Sequence, residues 1–297
     1  MSVLKDNINQ GPKALRKLLE SQFIVAPGVF NGVSALLAHR SGFKALYLSG
    51  AGVAGAMGMP DLSVTTLTEV EEEVRRIVSV VPEPLIVDVD TGFGEVFNVV
   101  RTVRALERAG AAAIHIEDQV LPKKCGHLNG KHIVEMDDMV KKIRAAVDAR
   151  KDPDFIIIAR TDARAVEGID AAIERSKYYL DAGADMIFSE ALESREEFQK
   201  FAKEVDAPLL ANMTEFGKSP LLSVEELKAI GYRAVIFPLT AFRVALRAME
   251  AAFLDLMKAG TQRDFVSKLM TRKEFYDLIG YDDYEREDKA LSKFKGR

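Results

Sequence analysis

Residues 85–119, LIVDVDTGFGEVFNVVRTVRALERAGAAAIHIEDQ, contain the pattern that decides the fold. An apolar, β-branched run opens the stretch, a segment with charged residues on one face of a helix follows, and a second apolar run closes it. Gly110 stands between the helical segment and the second run, where it fits the left-handed conformation that ends a helix. Because buried parallel strands are apolar along their whole length, the stretch predicts a strand–helix–strand unit of a parallel sheet.

The same unit repeats along the chain. Eight apolar runs predict strands, at positions 23–30, 45–50, 85–92, 112–119, 155–163, 186–191, 208–213 and 234–239. Eight regular units without a break in composition favour a single (β/α)8 barrel of the TIM type over the alternative, a doubly wound sheet. We therefore expect one domain over residues 1–297, with a helix at 13–19 and a C-terminal helical extension from about residue 241. The extension is expected to contain a long helix at 241–257, to stay helical to about Tyr284 and to end in a charged tail.

Composition and charge exclude several classes of protein. Of the 297 residues, 48% are hydrophobic and 29% are charged, which is typical of a globular protein and not of a membrane protein or a disordered chain. The net charge of −4 comes from interspersed acidic and basic residues, which argues against a nucleic-acid partner. The N-terminus lacks the apolar core of a signal peptide and no apolar run approaches 18 residues, so we expect a cytoplasmic protein without a membrane partner.

Polar side chains collect at the ends of the predicted strands. In a barrel of this type the chemistry lies at the carboxyl ends of the strands and in the loops beyond them. Buried strands have no general need for polar groups, so their clustering at one end indicates a functional site. The polar residues at these ends are Tyr47, Ser49, Asp88, Asp90, His115, Glu117, Arg160, Asp162, Glu190, Asn212, Thr214 and Thr240.

Two of these residues predict a metal site. Asp88 and Asp90 are two positions apart, so on a regular strand their side chains point to the same face. Two adjacent carboxylates repel each other unless a cation is present, and oxygen ligands favour Mg²⁺ or Mn²⁺. Glu117, at the end of the next strand, could complete the shell through water. The alternative is that either aspartate caps a helix or bonds to a loop.

Cys125, the only cysteine, lies in the polar loop KKCGHLNGK at 123–131. A single cysteine excludes an intramolecular disulfide. Two lysines and His127 beside the thiol predict a pKa below the usual value of about 8.5, which would suit a proton donor or a nucleophile. A packing role is the alternative. Zinc held by Cys125, His127 and His132 is disfavoured because the sequence offers no clear fourth ligand.

Two further patterns concern anionic groups. G-x-G-x-x-G at 50–55 matches a dinucleotide fingerprint, but such a site needs a helix starting inside the motif and an acidic residue about 20 positions on, at the end of the next strand. We therefore expect these glycines to let backbone N–H groups approach a substrate carboxylate instead. Arg160, Arg243 and Arg272 are candidates to bind carboxylates bidentately, and Arg160 alone stands at a strand end.

The motifs that carry these residues resemble those of the isocitrate lyase and phosphoenolpyruvate mutase superfamily. The similarity runs through YLSGAGVA at 47–54, VDVDTGFG at 87–94, KKCGH at 123–127 and ARTDA at 159–163, and it extends over nearly the whole chain. The KKCGH loop combined with the paired aspartates is the specific part of the pattern. Within the superfamily, the chain looks most like the enzymes that cleave 2-methylisocitrate.

The resemblance implies a (β/α)8 barrel, dependence on Mg²⁺, and a homotetramer whose subunits exchange C-terminal helices. It implies a small tricarboxylate substrate, 2-methylisocitrate, that is cleaved to pyruvate and succinate. The alternatives are a lyase of the same superfamily acting on isocitrate or 2,3-dimethylmalate, and a barrel that binds carboxylates without catalysis.

The resemblance also implies roles for individual residues. Asp88 and Asp90 would hold the metal, with Glu117 acting through water. Tyr47 would act at the substrate hydroxyl, and Cys125 would supply a proton to the departing succinate. The residues expected to bind substrate are Ser49, Gly50, Ala51, Gly126, His127, Arg160, Glu190, Asn212, Met213, Thr214, Arg243 and Arg272.

Overall fold

The computed structural model describes residues 11–293, and these contain eight parallel strands that are hydrogen-bonded in chain order into a closed barrel. The strands are β1 Ile24–Val29, β2 Leu46–Leu48, β3 Leu85–Asp88, β4 Ala113–Glu117, β5 Ile156–Thr161, β6 Met186–Ser189, β7 Leu209–Asn212 and β8 Ala234–Phe237. Each strand lies within one of the eight apolar runs, so the predicted (β/α)8 fold is confirmed. The runs are longer than the strands because they continue into the first residues of the loops.

Helices precede the barrel, connect its strands and follow it. They are α1 Gly11–Ser21, α2 Gly32–Arg40, α3 Gly50–Ala56, α4 Leu67–Val78, α5 Val96–Ala109, α6 Met136–Ala149, α7 Ile169–Asp181, α8 Arg195–Glu204, α9 Val224–Ile230, α10 Thr240–Ala259, α11 Arg272–Ile279 and α12 Tyr281–Ser292. The helices predicted at 13–19 and 241–257 are present as α1 and α10. Gly110 ends α5 with φ = 101°, as expected of a left-handed helix terminus.

The expected end of the helical material near Tyr284 is wrong, because α12 continues through the charged residues to Ser292. Its charges are placed at helical spacings: Asp282 and Asp283 lie in the first turn, where negative charge complements the helix dipole. Glu285 accepts a hydrogen bond from Lys289 one turn later, at 3.0 Å. A dense charge pattern thus supports a helix here.

The alternation of side chains along each strand separates two apolar layers. In β5, Ile156 and Ile158 belong to the cluster inside the barrel, whereas Ile157 belongs to the cluster between the strands and the surrounding helices. Arg160 follows in the inward series and therefore points into the mouth of the barrel. The same rule turns Asp88, His115, Glu190 and Asn212 inward, since each stands two residues after a member of the inner cluster, Ile86, Ala113, Phe188 and Leu210.

Within residues 11–293, no helix is both long enough and apolar enough to span a lipid bilayer.

Candidate active site

Asp88 and Asp90 lie at the carboxyl end of β3 and are both buried. Asp88 Oδ2 accepts the Gly50 N–H at 3.0 Å, and its Oδ1 accepts the Asp90 N–H at 3.1 Å. Burial alone would raise the pKa of Asp88, but His115, Lys123 and Arg160 lower it to about 2. For Asp90, burial prevails over the nearby Lys123 ammonium and raises the pKa to about 6. The two carboxyl groups therefore differ in their affinity for a proton.

Lys123 supplies a buried cation beside this pair. Its ammonium lies 2.9 Å from Asp90 Oδ1 and also pairs with Asp61, from the loop that follows α3. Burial would lower the pKa of Lys123, but Glu117, Asp90 and other carboxylates raise it well above its usual value. Asp61 and the Lys123–Asp90 pair could not be predicted, because nothing local in the sequence indicates which loops meet.

The environment of Glu117 shows whether a metal ion would be stabilised at this site. The residue is buried and neither of its carboxyl oxygens accepts a hydrogen bond from residues 11–293, although Arg160 Nη1 lies 3.3 Å from Oε2. Burial raises the pKa of Glu117 well above its usual value. An unsatisfied buried carboxyl group is costly unless a cation or its hydration shell contacts it. The unsatisfied carboxyl group of Glu117 therefore fits a hydrated divalent cation near Asp90.

The site offers few protein ligands for a metal ion. Among the described residues, no group of three or more His, Cys, Asp or Glu side chains converges closely enough to hold a metal by itself. This applies equally to a zinc site built from Cys125, His127 and His132. A sparse set suits Mg²⁺, which commonly keeps several waters and takes only one or two protein carboxylates.

Tyr47 and His115 form a buried pair beside Asp88. The Tyr47 hydroxyl lies 2.8 Å from His115 Nε2 and 3.5 Å from Asp88 Oδ2, and the two rings stack with centroids 5.8 Å apart. Burial raises the pKa of Tyr47 well above its usual value and lowers the pKa of His115 to about 4. Both groups are therefore neutral near pH 7, and Tyr47 keeps its proton. His115 was recognised as a polar strand-end residue but was given no role.

Arg160 occupies the centre of the mouth. Its Nε donates to Asp162 Oδ2 at 3.0 Å, and its guanidinium lies over the Phe188 ring at 5.1 Å. Glu190 Oε1 lies 3.7 Å from Nη2. Burial would lower the pKa of Arg160, but the surrounding carboxylates hold it well above its usual value. The guanidinium is thus a fixed positive charge, oriented by acidic neighbours.

His127 joins the loop at 123–131 to two other loops. Its Nδ1 accepts the Lys218 N–H at 3.0 Å, and its Nε2 lies 3.2 Å from Glu190 Oε1. Burial lowers the pKa of His127. Because Nδ1 accepts a hydrogen bond, the neutral ring carries its proton on Nε2, and this N–H has no hydrogen-bond partner among residues 11–293. Asn212 also approaches Glu190, with Nδ2 at 3.3 Å from Oε2.

Cys125 is half-buried, and the expected lowering of its pKa is wrong. Burial raises the pKa of the thiol. The neighbouring ammonium groups are engaged elsewhere, Lys123 with carboxylates and Lys124 with the Gly130 carbonyl at 3.0 Å. A thiol that stays protonated at neutral pH is suited to donate a proton.

Gly126, the next residue, brings the loop backbone into the mouth. A Cβ built on Gly126 would lie 2.6 Å from Arg160 Nη2 and closer still to the Glu190 carboxyl group. Every other residue type would therefore displace the loop or these side chains. The only thiol of the chain is consequently held one residue away from the contact with Arg160 and Glu190.

The remaining predicted substrate residues fall into two groups. Ser49, Gly50 and Ala51 stand where β2 leads into α3, which begins at Gly50, the first glycine of the motif. Thr214 is buried just beyond β7. Arg243, at the start of α10, donates to Glu215 Oε2 at 2.7 Å near the same end of the barrel.

Met213 and Arg272 lie apart from these polar groups. Because Asn212 takes the inward position of β7, the Met213 side chain packs in the outer apolar layer, where its sulfur accepts the Leu222 N–H at 3.2 Å. Arg272 is the exposed first residue of α11, which packs against α2 on the outside of the barrel.

Comparisons with known proteins find relatives over most of the chain. Residues 15–257 match the phosphoenolpyruvate phosphomutase family. A 2-methylisocitrate lyase from Aeropyrum pernix is 59% identical over 280 residues, which cover 94% of this chain and 90% of that protein.

Two solved structures extend the comparison. A 2,3-dimethylmalate lyase of the PEP mutase/isocitrate lyase superfamily is 40% identical, with a TM-score of 0.89 over 94% of this chain and 95% of that chain. A phosphonopyruvate hydrolase in complex with oxalate and Mg²⁺ is 32% identical, with a TM-score of 0.85 over 95% of this chain and 98% of that chain.

Proposed function

The chain belongs to the phosphoenolpyruvate phosphomutase family, and we propose that it is a lyase that cleaves 2-methylisocitrate into pyruvate and succinate. The similarity to a 2-methylisocitrate lyase, at 59% identity, exceeds that to a 2,3-dimethylmalate lyase, at 40%. One structural observation carries the proposal. The loop with a protonated thiol packs through Gly126 against Arg160, so a proton donor and a carboxylate-binding cation face the same space.

The substrate hydroxyl is placed at the Tyr47 end of the mouth. Mg²⁺, held by Asp88 and Asp90 and through water by Glu117, would lower the pKa of the hydroxyl and offset the charge of the carboxylates. Tyr47 keeps its proton in the resting site and orients the substrate hydroxyl oxygen, and its own hydroxyl lies 2.8 Å from His115 Nε2. As the C=O of pyruvate forms, the substrate hydroxyl proton passes to the Tyr47 oxygen while the Tyr47 proton passes on to His115 Nε2.

The departing succinate fragment lies at the opposite end of the site. Arg160, with the Nε2–H of His127, stabilises the negative charge that develops on its carboxylate. Cys125 then donates its proton to the carbon that lost its bond. The raised pKa of the thiol keeps this proton in place until the fragment forms.

The proposal is tested by comparing pyruvate formation from 2-methylisocitrate, isocitrate and 2,3-dimethylmalate under identical conditions with Mg²⁺. We expect kcat/KM to be highest for 2-methylisocitrate. Because a methyl group contributes only about 1–3 kcal/mol to discrimination, slow turnover of a relative of the substrate is compatible with the proposal. Binding of these acids without any pyruvate release would instead identify a non-catalytic barrel.

Homotetramer formation is proposed from the surface of the C-terminal helices. In the described part of the chain, α10 has no buried residue, although Val244, Phe253, Leu254 and Met257 are apolar and between 65% and 89% exposed. Phe253, Leu254 and Met257 lie within about one helical turn of each other, and an exposed apolar patch of this kind marks a surface that associates. We infer that α10 to α12 pack against other copies of the chain. The cytoplasmic location expected from the sequence remains a prediction.

A further inference from the structure

Lys131 ties the loop at 123–131 to the barrel. Its ammonium donates to the Gly126 carbonyl, inside the loop, and to Asp162 Oδ1 at 2.8 Å, just beyond β5. The Lys131 side chain is only 1% exposed, so both bonds are shielded from water. Charge-assisted hydrogen bonds are strongest under these conditions. One side chain thus joins the residue after Cys125 to the end of a barrel strand.

Asp162 shares its carboxylate between Lys131 and Arg160. Arg160 donates to Oδ2 through Nε at 3.0 Å and to Oδ1 through Nη2 at 3.3 Å. Burial would raise the pKa of Asp162, but Arg160 and Lys131 lower it to about 2, so the carboxylate is ionised at neutral pH. A single charge therefore positions both the loop and the guanidinium expected to bind substrate.

We propose that Lys131 is a positioning residue that holds the Cys125 loop closed over the site and couples this closure to Arg160 through Asp162. Lys131 does not touch the reacting atoms. It places the Gly126 backbone against Glu190 and Arg160, and the thiol of the preceding residue takes its position from that contact. The role as an aid to catalysis rests on the proposed lyase function, whereas the closure of the loop does not.

The closure can be measured on the thiol itself. Cys125 is the only cysteine, so the rate of its alkylation by iodoacetamide, followed by mass spectrometry of the intact chain, reports on this loop alone. We expect Lys131→Met to accelerate alkylation by about tenfold or more, the factor by which the loss of a charge-assisted hydrogen bond shifts an opening equilibrium. The melting temperature shows whether the variant is folded. If Lys131→Met does not fold, Lys131→Gln is used for the same alkylation measurement.

The direction in which the alkylation rate changes distinguishes loop opening from a change in the pKa of the thiol. Removing a cation near Cys125 raises the pKa of the thiol and lowers the thiolate fraction, which by itself slows alkylation. Lys124→Met is the matched control, because the ammonium of this neighbouring lysine donates to the Gly130 carbonyl within the same loop. We expect alkylation of the control to be no faster than that of the wild type. An unchanged or slower rate in folded Lys131→Met, or equal acceleration in both variants, would overturn the proposal.

Catalysis gives a second, separate readout. We expect Lys131→Met to lower kcat about tenfold or more, since a misplaced loop removes the proton donor from the reacting carbon. Lys131→Arg, which keeps the charge, should recover part of kcat and part of the protection from alkylation. If the chain does not cleave 2-methylisocitrate, the alkylation rates still decide whether Lys131 closes the loop. Fast alkylation combined with wild-type kcat would refute the positioning role.

Discussion

Cys125→Ser tests the proposed proton donor directly. The substitution exchanges sulfur for oxygen and leaves the anchors of the loop in place, since Lys131 bonds to the Gly126 carbonyl and to Asp162. The carbonyl of Cys125 itself accepts the Leu128 N–H at 2.9 Å, which the substitution does not change. Binding of substrate, assigned to Arg160 and its neighbours, should therefore survive.

The expected loss falls on kcat. A hydroxyl group is a far weaker acid than a thiol, and general acid catalysis contributes about 10²–10⁴-fold, so kcat should fall by about this factor. The assay follows pyruvate release, and calorimetry with succinate in the same variant reports binding. A near-normal kcat would show that Cys125 has only a packing role. A joint loss of binding and catalysis would indicate a collapsed loop instead of a missing acid.

The direction in which kcat changes with pH follows from the protonation of the same thiol. The acid acts when it is protonated, and burial raises the pKa of Cys125 above its usual value. The protonated form is therefore complete through neutral pH and is lost as the pH rises past the raised pKa. We expect kcat to be level near pH 7 and to fall only above about 8.5, the ordinary thiol value. This alkaline fall should be absent from Cys125→Ser.

Three further predictions concern the metal, the loop and the assembly. Asp88→Ala or Asp90→Ala should lower Mg²⁺-supported activity by more than about 10²-fold, and full activity of the wild type in excess EDTA would contradict the metal assignment. Gly126→Ala places a methyl group against Glu190 and should lower kcat by about 10²-fold with little change in melting temperature, whereas wild-type kcat would show that the loop tolerates displacement. Phe253→Asp puts a charge into the exposed apolar face of α10 and should shift the mass in light scattering below that of a tetramer; an unchanged tetramer would place the interface elsewhere.

The fold could be predicted because its signals are local. Each strand is an apolar run, and helix ends such as Gly110 carry their own conformational signature. The strand-end residues follow from the two-residue alternation, which turns Asp88 and Arg160 inward once the strands are known. The same alternation turns Met213 outward, although this residue was predicted to bind substrate.

The contacts between loops could not be predicted, because they join parts of the chain that are distant in sequence. Lys123 and Lys124 are adjacent to Cys125 along the chain, and this adjacency suggested a lowered thiol pKa. In the folded protein Lys123 pairs with Asp61, 62 positions away, and burial decides the pKa of the thiol. Lys131 reaches Asp162 across 31 positions for the same reason. Neither pairing leaves a periodic signal in the sequence.

The charges gathered at the mouth explain why these loop contacts matter for the chemistry. Carboxyl groups outnumber the lysine and arginine side chains at the mouth. The carboxyl groups are those of Asp61, Asp88, Asp90, Glu117, Asp162 and Glu190, and the basic side chains are Lys123, Lys131 and Arg160. Burial raises the pKa of Asp90 and Glu117, so the excess of carboxyl groups is already costly before a substrate arrives. A tricarboxylate adds negative charge to the same space, and Arg160 is shared among acidic neighbours. A divalent cation beside Asp90 and Glu117 would offset both sources of repulsion, so the electrostatics favour the joint binding of metal and substrate over the binding of either alone.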